Sequence, residues 1–357
     1  MYSVKGSAMF TRARLQTFGI ALAGVGVFHA LGLPLPFLFG PMFACLFAAL
    51  VGVQMQGAGQ VSVAARTVLG VAVGASVTPA ILGQVPLMAV TLALIPAYVA
   101  VIGLVGVPFF HRICGFDRIT SYYAAMPGGF QDMVIFGQEA GGNGRALSLI
   151  HATRVLIIVT LVPILLTGPF GVGLDHPIGV PAAELPLHEM AMMVAIALIG
   201  WKGGERIGLF GASILGPLLL AMALSLTDVL HHRPPAEAIL VAQFFIGMGI
   251  GMYYRGVTLA ELRHDVAAGA AFAVVLAGLA AGFTLLAFHL GGTPILEAFL
   301  SFSPGGQAEM TVLAIVAGAD LGFIVVHHLT RMLLVITGAP IVARLLLRRD
   351  DENSNSR

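Results

Sequence analysis

With 357 residues, 58% of them hydrophobic and only 10% charged, and a mean hydropathy of +0.96, the chain has the composition of a bilayer protein. Soluble domains carry roughly a quarter charged residues, so a water-facing surface of this size is excluded. The net charge of +1 provides no field for nucleic acid, and neither a basic helix nor a zinc-ligand spacing is present.

Lys5, Arg12 and Arg14 precede the first apolar run, at 16–33, in the manner of a signal peptide. No small-x-small cleavage site follows and the next run begins at once, which predicts a retained first span. Further runs follow at 35–53, 62–83, 86–110, 119–141 and 146–168. A second set lies at 187–201, 209–228, 236–254, 266–290, 295–318 and 321–347. About twenty apolar residues suffice to cross a bilayer, so the chain has room for about ten spans. The stretch 169–187 reads as a Pro- and Gly-rich linker, and the terminal RRDDENSNSR as a solvated, disordered end. Cys45 and Cys114 fall in different apolar segments without metal or disulfide spacing and read as core thiols.

The second set repeats the first. Pro127-Gly128-Gly129 recurs as Pro304-Gly305-Gly306, an offset of 177 residues. The same offset pairs Gly70 with Gly247, Gly74 with Gly251, Met133 with Met310, His151 with His328, Thr153 with Thr330, Arg154 with Arg331, and Pro163 with Pro340. Upstream an offset of 176 pairs Gly24 with Gly200 and Gly40-Pro41 with Gly216-Pro217. Rare residues holding one offset point to duplication: membrane repeat one at 1–168, an external linker at 169–186, membrane repeat two at 187–348, and a cytoplasmic tail at 349–357.

Lys and Arg in short loops mark the cytoplasmic side. Arg112 and Arg118 place the loop 111–118 inside, while the linker has no basic residue and reads as external. In the second copy the pattern swaps: Lys202, Arg206, Arg255 and Arg263 mark as cytoplasmic loops whose first-copy partners are uncharged. Arg344, Arg348 and Arg349 put the C-terminus inside with the N-terminus, and Arg233 alone dissents. A swapped pattern requires an odd number of crossings per copy. The expected fold is therefore an all-α integral membrane protein of two inverted-topology repeats. Each has about five spanning helices plus one broken or re-entrant Pro-Gly-Gly segment, since interrupted backbone at membrane depth must be satisfied by protein or water.

Inverted repeats with broken helices at the midplane are the architecture of many secondary transporters. Asp132 and Glu309 each lie five residues after the proline of their break, with Gln131 and Gln307 beside them. An ionisable group inside a bilayer is costly and marks a functional site by default. The following helices carry His151, Thr153 and Arg154, and His328, Thr330 and Arg331, with His and Arg sharing a helical face. These residues, with Pro127, Gly128, Gly129, Pro304, Gly305 and Gly306, are the expected substrate and ion site. No catalytic or metal residue and no cofactor beyond a coupling H+ or Na+ is expected. Asp132–Arg154 and Glu309–Arg331 also fit plain buried ion pairs, and the histidines plain core residues. Gly70-x-x-x-Gly74 and Gly247-x-x-x-Gly251 read as packing motifs, Asn143 and Asp320 as helix caps, and Tyr122 and Tyr123 as pocket or interface residues.

GPM at 40–42, MPGGFQDM at 126–133, HATR at 151–154, SPGGQAEM at 303–310 and HHLTR at 327–331 together resemble the bacterial membrane AbrB family, over nearly the whole chain. That family carries a duplicated AbrB membrane domain and is unrelated to the small soluble DNA-binding AbrB regulators. Its members are described as ammonia monooxygenases or as regulators of aidB expression, and neither description specifies a mechanism. The resemblance implies a multi-pass protein of the bacterial inner membrane. Three functions follow as expectations. The first is a secondary transporter of a small anionic solute, with the lipid bilayer and a homo-oligomeric copy as its other partners. The second is an ammonia monooxygenase-like enzyme, which requires clustered metal ligands, whereas the eleven histidines here are scattered. The third is a membrane-embedded regulator of gene expression, necessarily indirect because no polar stretch is long enough to fold as a sensory domain.

Overall fold

The computed structural model describes residues 11–209 and 211–355, with side chains for all of these except Leu82 and 345–355. Lys5, and the last two residues of the expected tail, lie outside the described residues.

Among the described residues every element is helical. Helix α1 (Arg12–Ala30) starts where the Thr11 side chain accepts the Arg14 N–H at 3.2 Å, an N-cap. Helix α2 (Pro36–Leu50) opens on proline, whose missing N–H costs nothing in a first turn. Then come α3 (Gln60–Gly74), α4 (Pro79–Gln84), α5 (Ala89–Pro108), α6 (Arg118–Ala125), α7 (Phe130–Glu139) and α8 (Gly144–Thr167). After the linker follow α9 (Leu187–Arg206), α10 (Ala212–Leu226), α11 (Ala236–Met252), α12 (Leu259–Glu261), α13 (Ala267–Gly291), α14 (Ile295–Phe302), α15 (Gln307–Val316) and α16 (Leu321–Asn355). The bounds of α14 and α15 are those of α6 and α7 displaced by 177 residues.

Among the described residues four helical stretches are long and apolar enough to cross a bilayer: Val85–Ile113, Gly144–Thr167, Leu259–Gly291 and Leu321–Arg344. The other apolar runs fold into shorter helices. Fifteen residues, the length of α2, α3 and α10, rise about 22 Å against a hydrocarbon core of about 30 Å. Glycine and proline cut the runs short: Gly52, at φ +80°, follows the end of α2, and Ser76-Val77-Thr78-Pro79 divides the expected run 62–83.

The short helices pack by backbone approach. A Cβ at Gly70 or Gly74 of α3 would strike the carbonyls of Ile214 and Leu218 on α10, and one at Gly247 or Gly251 of α11 those of Leu38 and Met42 on α2. The two GxxxG patterns are packing motifs, and each pairs a helix from before the linker with one from after it.

Contacts between loops sort them into two groups. At one end Arg14 Nε donates to Gly57 O at 3.1 Å, Arg255 Nη1 to Met55 O at 2.6 Å, and Arg145 Nε pairs with Glu261 at 2.8 Å. His264 also bonds Cys114 O there, at 2.8 Å. Toward the other end the linker is tied down: His176 N–H donates to Val316 O at 3.2 Å, and Ala236 N–H to Val180 O at 3.0 Å.

Two expectations change, and one histidine pair finds a partner that spacing does not suggest. The C-terminal segment is helical through Asn355 rather than disordered. His231 and His232 lie in the loop between α10 and α11, where both hydrogen-bond the buried Glu189, at 3.1 and 3.0 Å. Cys45 is buried, but Cys114 is only half-buried, because it ends up in a turn.

Candidate functional site

Each Pro-Gly-Gly interrupts its helical pair for a steric reason. A proline ring pushes the preceding residue into extended geometry: Met126 has ψ 129° and Ser303 has ψ 127°. Residues 126–129 and 303–306 are not helical, and the chain turns back on itself. At the base of the first turn-back Asn143 N–H donates to Thr120 Oγ1 at 2.8 Å. At the base of the second, Asp320 N–H reaches Glu297 Oε1 at 3.4 Å. Helices α6–α7 and α14–α15 are therefore two hairpins, each with Pro-Gly-Gly at its tip.

A short helix leaves carbonyls unsatisfied at its C-terminal end. Buried His and Arg side chains of the following long helix meet them. His151 Nε2 lies 3.1 Å from Tyr123 O, and Arg154 donates through Nη1 to Met126 O at 3.2 Å and through Nη2 to Gly128 O at 3.1 Å. In the second hairpin His328 Nε2 lies 2.9 Å from Leu300 O, and Arg331 donates to Ser303 O at 2.9 Å and Gly305 O at 3.3 Å. Among the described residues the alternative ion pairs Asp132–Arg154 and Glu309–Arg331 do not form: the planar guanidinium fork is taken by carbonyls of the tip.

The carboxylates face elsewhere. Asp132 and Glu309 are each the third residue of a helix whose first turn presents unpaired N–H groups and a partial positive charge. Each folds back over its N-cap glycine, so that a Cβ at Gly129 would strike the Asp132 carboxylate and one at Gly306 that of Glu309. Both glycines have ordinary extended geometry, φ −61° and −71°; what they supply is the missing Cβ, not conformational freedom. Although only 7% and 8% exposed, Asp132 and Glu309 line a common cavity of about 170 Å³. Gly129, Gln131, Gly306 and Gln307 also line it, as do Phe130 and Tyr253, whose rings lie 4.3 Å apart.

A family model described as "Transition state regulatory protein AbrB" matches residues 37–347 of the chain. The chain belongs to the AbrB family. The chain is 24% identical, over 89% of its length and 92% of the relative's, to a protein of Escherichia coli (strain K12) named "Putative regulator AbrB". It is 26% identical, over 64% of both chains, to "Uncharacterized protein YhjN" of Bacillus subtilis (strain 168).

In this AbrB-family chain the residues expected to share a site divide by role. Gln131, Asp132, Gln307 and Glu309 reach the cavity. His151, Arg154, His328 and Arg331 stand behind the tips, and Pro127, Gly128, Pro304 and Gly305 shape them. Thr153 is bonded to Leu149 O and to the Tyr254 hydroxyl, both within 2.8 Å, and Thr330 to Val326 O; both hydroxyls serve the helices. Tyr122 donates to Ala339 O at 3.0 Å, a packing role. Asn143 and Asp320 cap α8 and α16. Among the described residues no three His, Cys, Asp or Glu side chains converge as a metal-binding group.

Sequence reasoning missed Arg66. It lines the cavity from α3 and makes no hydrogen bond or ion pair with a described residue. Its signal was available: a lone arginine inside the apolar run 62–83. At the offset of 177 stands Gln243, buried to 1% exposure with both amide atoms unpartnered.

Proposed function

We propose that this protein is a secondary transporter of a small anionic solute in a bacterial inner membrane, with its binding site where the two Pro-Gly-Gly tips meet. The observation that carries the reading is the shared cavity. Two hairpins 177 residues apart in sequence bring matched carboxylates and matched helix N-termini to one place. Unwound backbone is tolerated at membrane depth only where protein satisfies it or it lines a cavity, and helix N-termini aimed at a cavity favour anions.

On this reading the chain is a duplication with opposed orientations. The α6–α7 hairpin enters from the side carrying the basic loops, the α14–α15 hairpin from the side of the linker, and the tips meet between them. The helices too short to span alone surround them, completing about five crossings per copy, with both termini cytoplasmic. The cavity lies toward the basic end, because Gly211 and Tyr253, at the ends of α10 and α11 nearest Arg206 and Arg255, line it. On this reading the cavity faces inward, and Asp132 and Glu309 carry the coupling ion.

The names of the family model and of the Escherichia coli relative favour a second reading, a membrane regulator acting indirectly. Uptake by proteoliposomes separates them. Transport predicts accumulation of at least one small anion above empty vesicles, abolished in Asp132→Asn or Glu309→Gln. A broad solute panel with no uptake above empty vesicles, from protein shown to be folded, overturns the transporter reading and leaves the regulator.

A further inference from the structure

The cavity has two kinds of wall. Ala152, Val155, Ile214, Leu215, Ile246 and Ile250 form an apolar side, and Arg66, Gln131, Asp132, Ser213, Gln307 and Glu309 supply the polar groups. Gln307 has both amide atoms buried and unpartnered. At about 170 Å³ the space is close to that of engineered apolar cavities that take up benzene. An inorganic oxyanion would leave the apolar side empty, whereas an organic ion with one charged end uses both walls.

The charges decide which end. Helix α15 is packed against α3, α8 and α16, which bring Arg66, then His151 and Arg154, then His327, His328 and Arg331 towards Glu309. His151, Arg154, His328 and Arg331 are bonded to hairpin carbonyls, and His327 lies between Phe323 O and Thr91, each at 2.8 Å. Asp132 of α7 shares the cavity as a second anion. Arg66 is thus the cation whose donors are left for a ligand, and its charge, like that of Arg154 behind the tip, reaches Glu309 without closing an ion pair with it.

Two carboxylates against one guanidinium and two helix N-termini of about half a charge each leave the empty cavity near neutrality. An arriving anion that takes Arg66 offsets the nearer of the two cations acting on Glu309 and adds a negative charge in a poorly hydrated space.

We propose that this cavity binds a small organic monocarboxylate with an apolar body, its carboxylate on Arg66, and that binding takes up one proton from solvent onto Glu309. The inference rests on reading the cavity as the transport site, and it makes the proton the coupling ion. The only bond formed is the O–H on Glu309. Binding and protonation are reciprocal, each favouring the other.

Isothermal titration calorimetry on the full-length protein in detergent tests it. The probes are butyrate, hexanoate, octanoate and benzoate, with benzamide and benzylammonium as neutral and cationic counterparts of benzoate, each in two buffers of different ionisation enthalpy at one pH. At least one acid is expected to bind with about one proton taken up, and the amide and the amine are expected not to bind. Arg66→Gln, verified as folded by gel filtration, is expected to weaken binding by tenfold or more, about the loss of one charge-assisted contact, with Arg66→Lys in between. Failure of every acid to bind, equal binding of the amine, or no proton uptake overturns the proposal. If Arg66→Gln does not fold, the wild-type comparison of acid, amide and amine still decides. Acid binding without vesicle uptake overturns the transporter reading but keeps the site. Uptake of another solute class by protein that binds no acid overturns the site but keeps transport.

Discussion

The buried arginines are the clearest case of a residue whose neighbours change its meaning. Arg154 and Arg331 look like counter-ions to Asp132 and Glu309 when only spacing is considered. In the fold each holds two carbonyls of a hairpin tip. Arg154→Met should leave both carbonyls unsatisfied, at about 1–3 kcal/mol each, and lower the thermal unfolding midpoint. Arg154→Lys should rescue little, because an ammonium cannot fork across two carbonyls; full rescue by lysine would show that charge alone matters there. Gly129→Ala tests the other half of the design. Its methyl group displaces the Asp132 carboxylate, so uptake should fall while the protein stays folded, at a cost of about 1–3 kcal/mol. Spacing identified the polar residues correctly but could not say which of them meet, because hydrogen-bond partners 26 to 28 residues apart depend on how a hairpin folds back.

Among the elements, the short helices depend on glycine more than on apolar length. At Gly251 a side chain would strike the Met42 carbonyl of α2. Gly251→Leu should therefore push α2 and α11 apart and yield aggregated or destabilised protein on gel filtration, whereas Gly249→Leu, with nothing within 4 Å of its Cβ, should be tolerated. Equal tolerance of the two would mean that the helices do not pack through the glycine face. The hairpins show the same dependence on context. The runs 119–141 and 295–318 look like single apolar segments with a flaw in the middle, and proline's effect on Met126 and Ser303 turns each into two helices that run back together.

For the molecule as a whole, the contacts between loops make a topology map decisive. In a background lacking Cys45 and Cys114, single cysteines at 114, 204 and 259 are expected to label from the cytoplasmic side, and those at 34, 178 and 292 from outside. Labelling at 178 from the cytoplasmic side would make the copies parallel and remove the main support for a site between opposed hairpins. A cysteine replacing Ser213, which lines the cavity, should react from the same side as 204 and 259 in the inward-facing state. Protection of that cysteine by a bound monocarboxylate would link the topology to the ligand site.

Composition and the lengths of the apolar runs together determined the all-helical, bilayer-type class, because 10% charged residues are too few to cover a soluble surface of this size. The offset of 177 residues and the paired Pro-Gly-Gly segments were equally legible, since rare residues at one spacing need no coordinates to be noticed. Only the tertiary structure showed that the carboxylates turn away from the arginines, that Thr153 is occupied by Tyr254, and that Arg66 reaches the same cavity. Asp132, Glu309 and Arg66 lie on three helices far apart in the chain, and no local pattern encodes the direction in which each helix presents its side chain. That direction is set by glycine-mediated packing and by the hairpin turns, which exist only once the whole chain has folded.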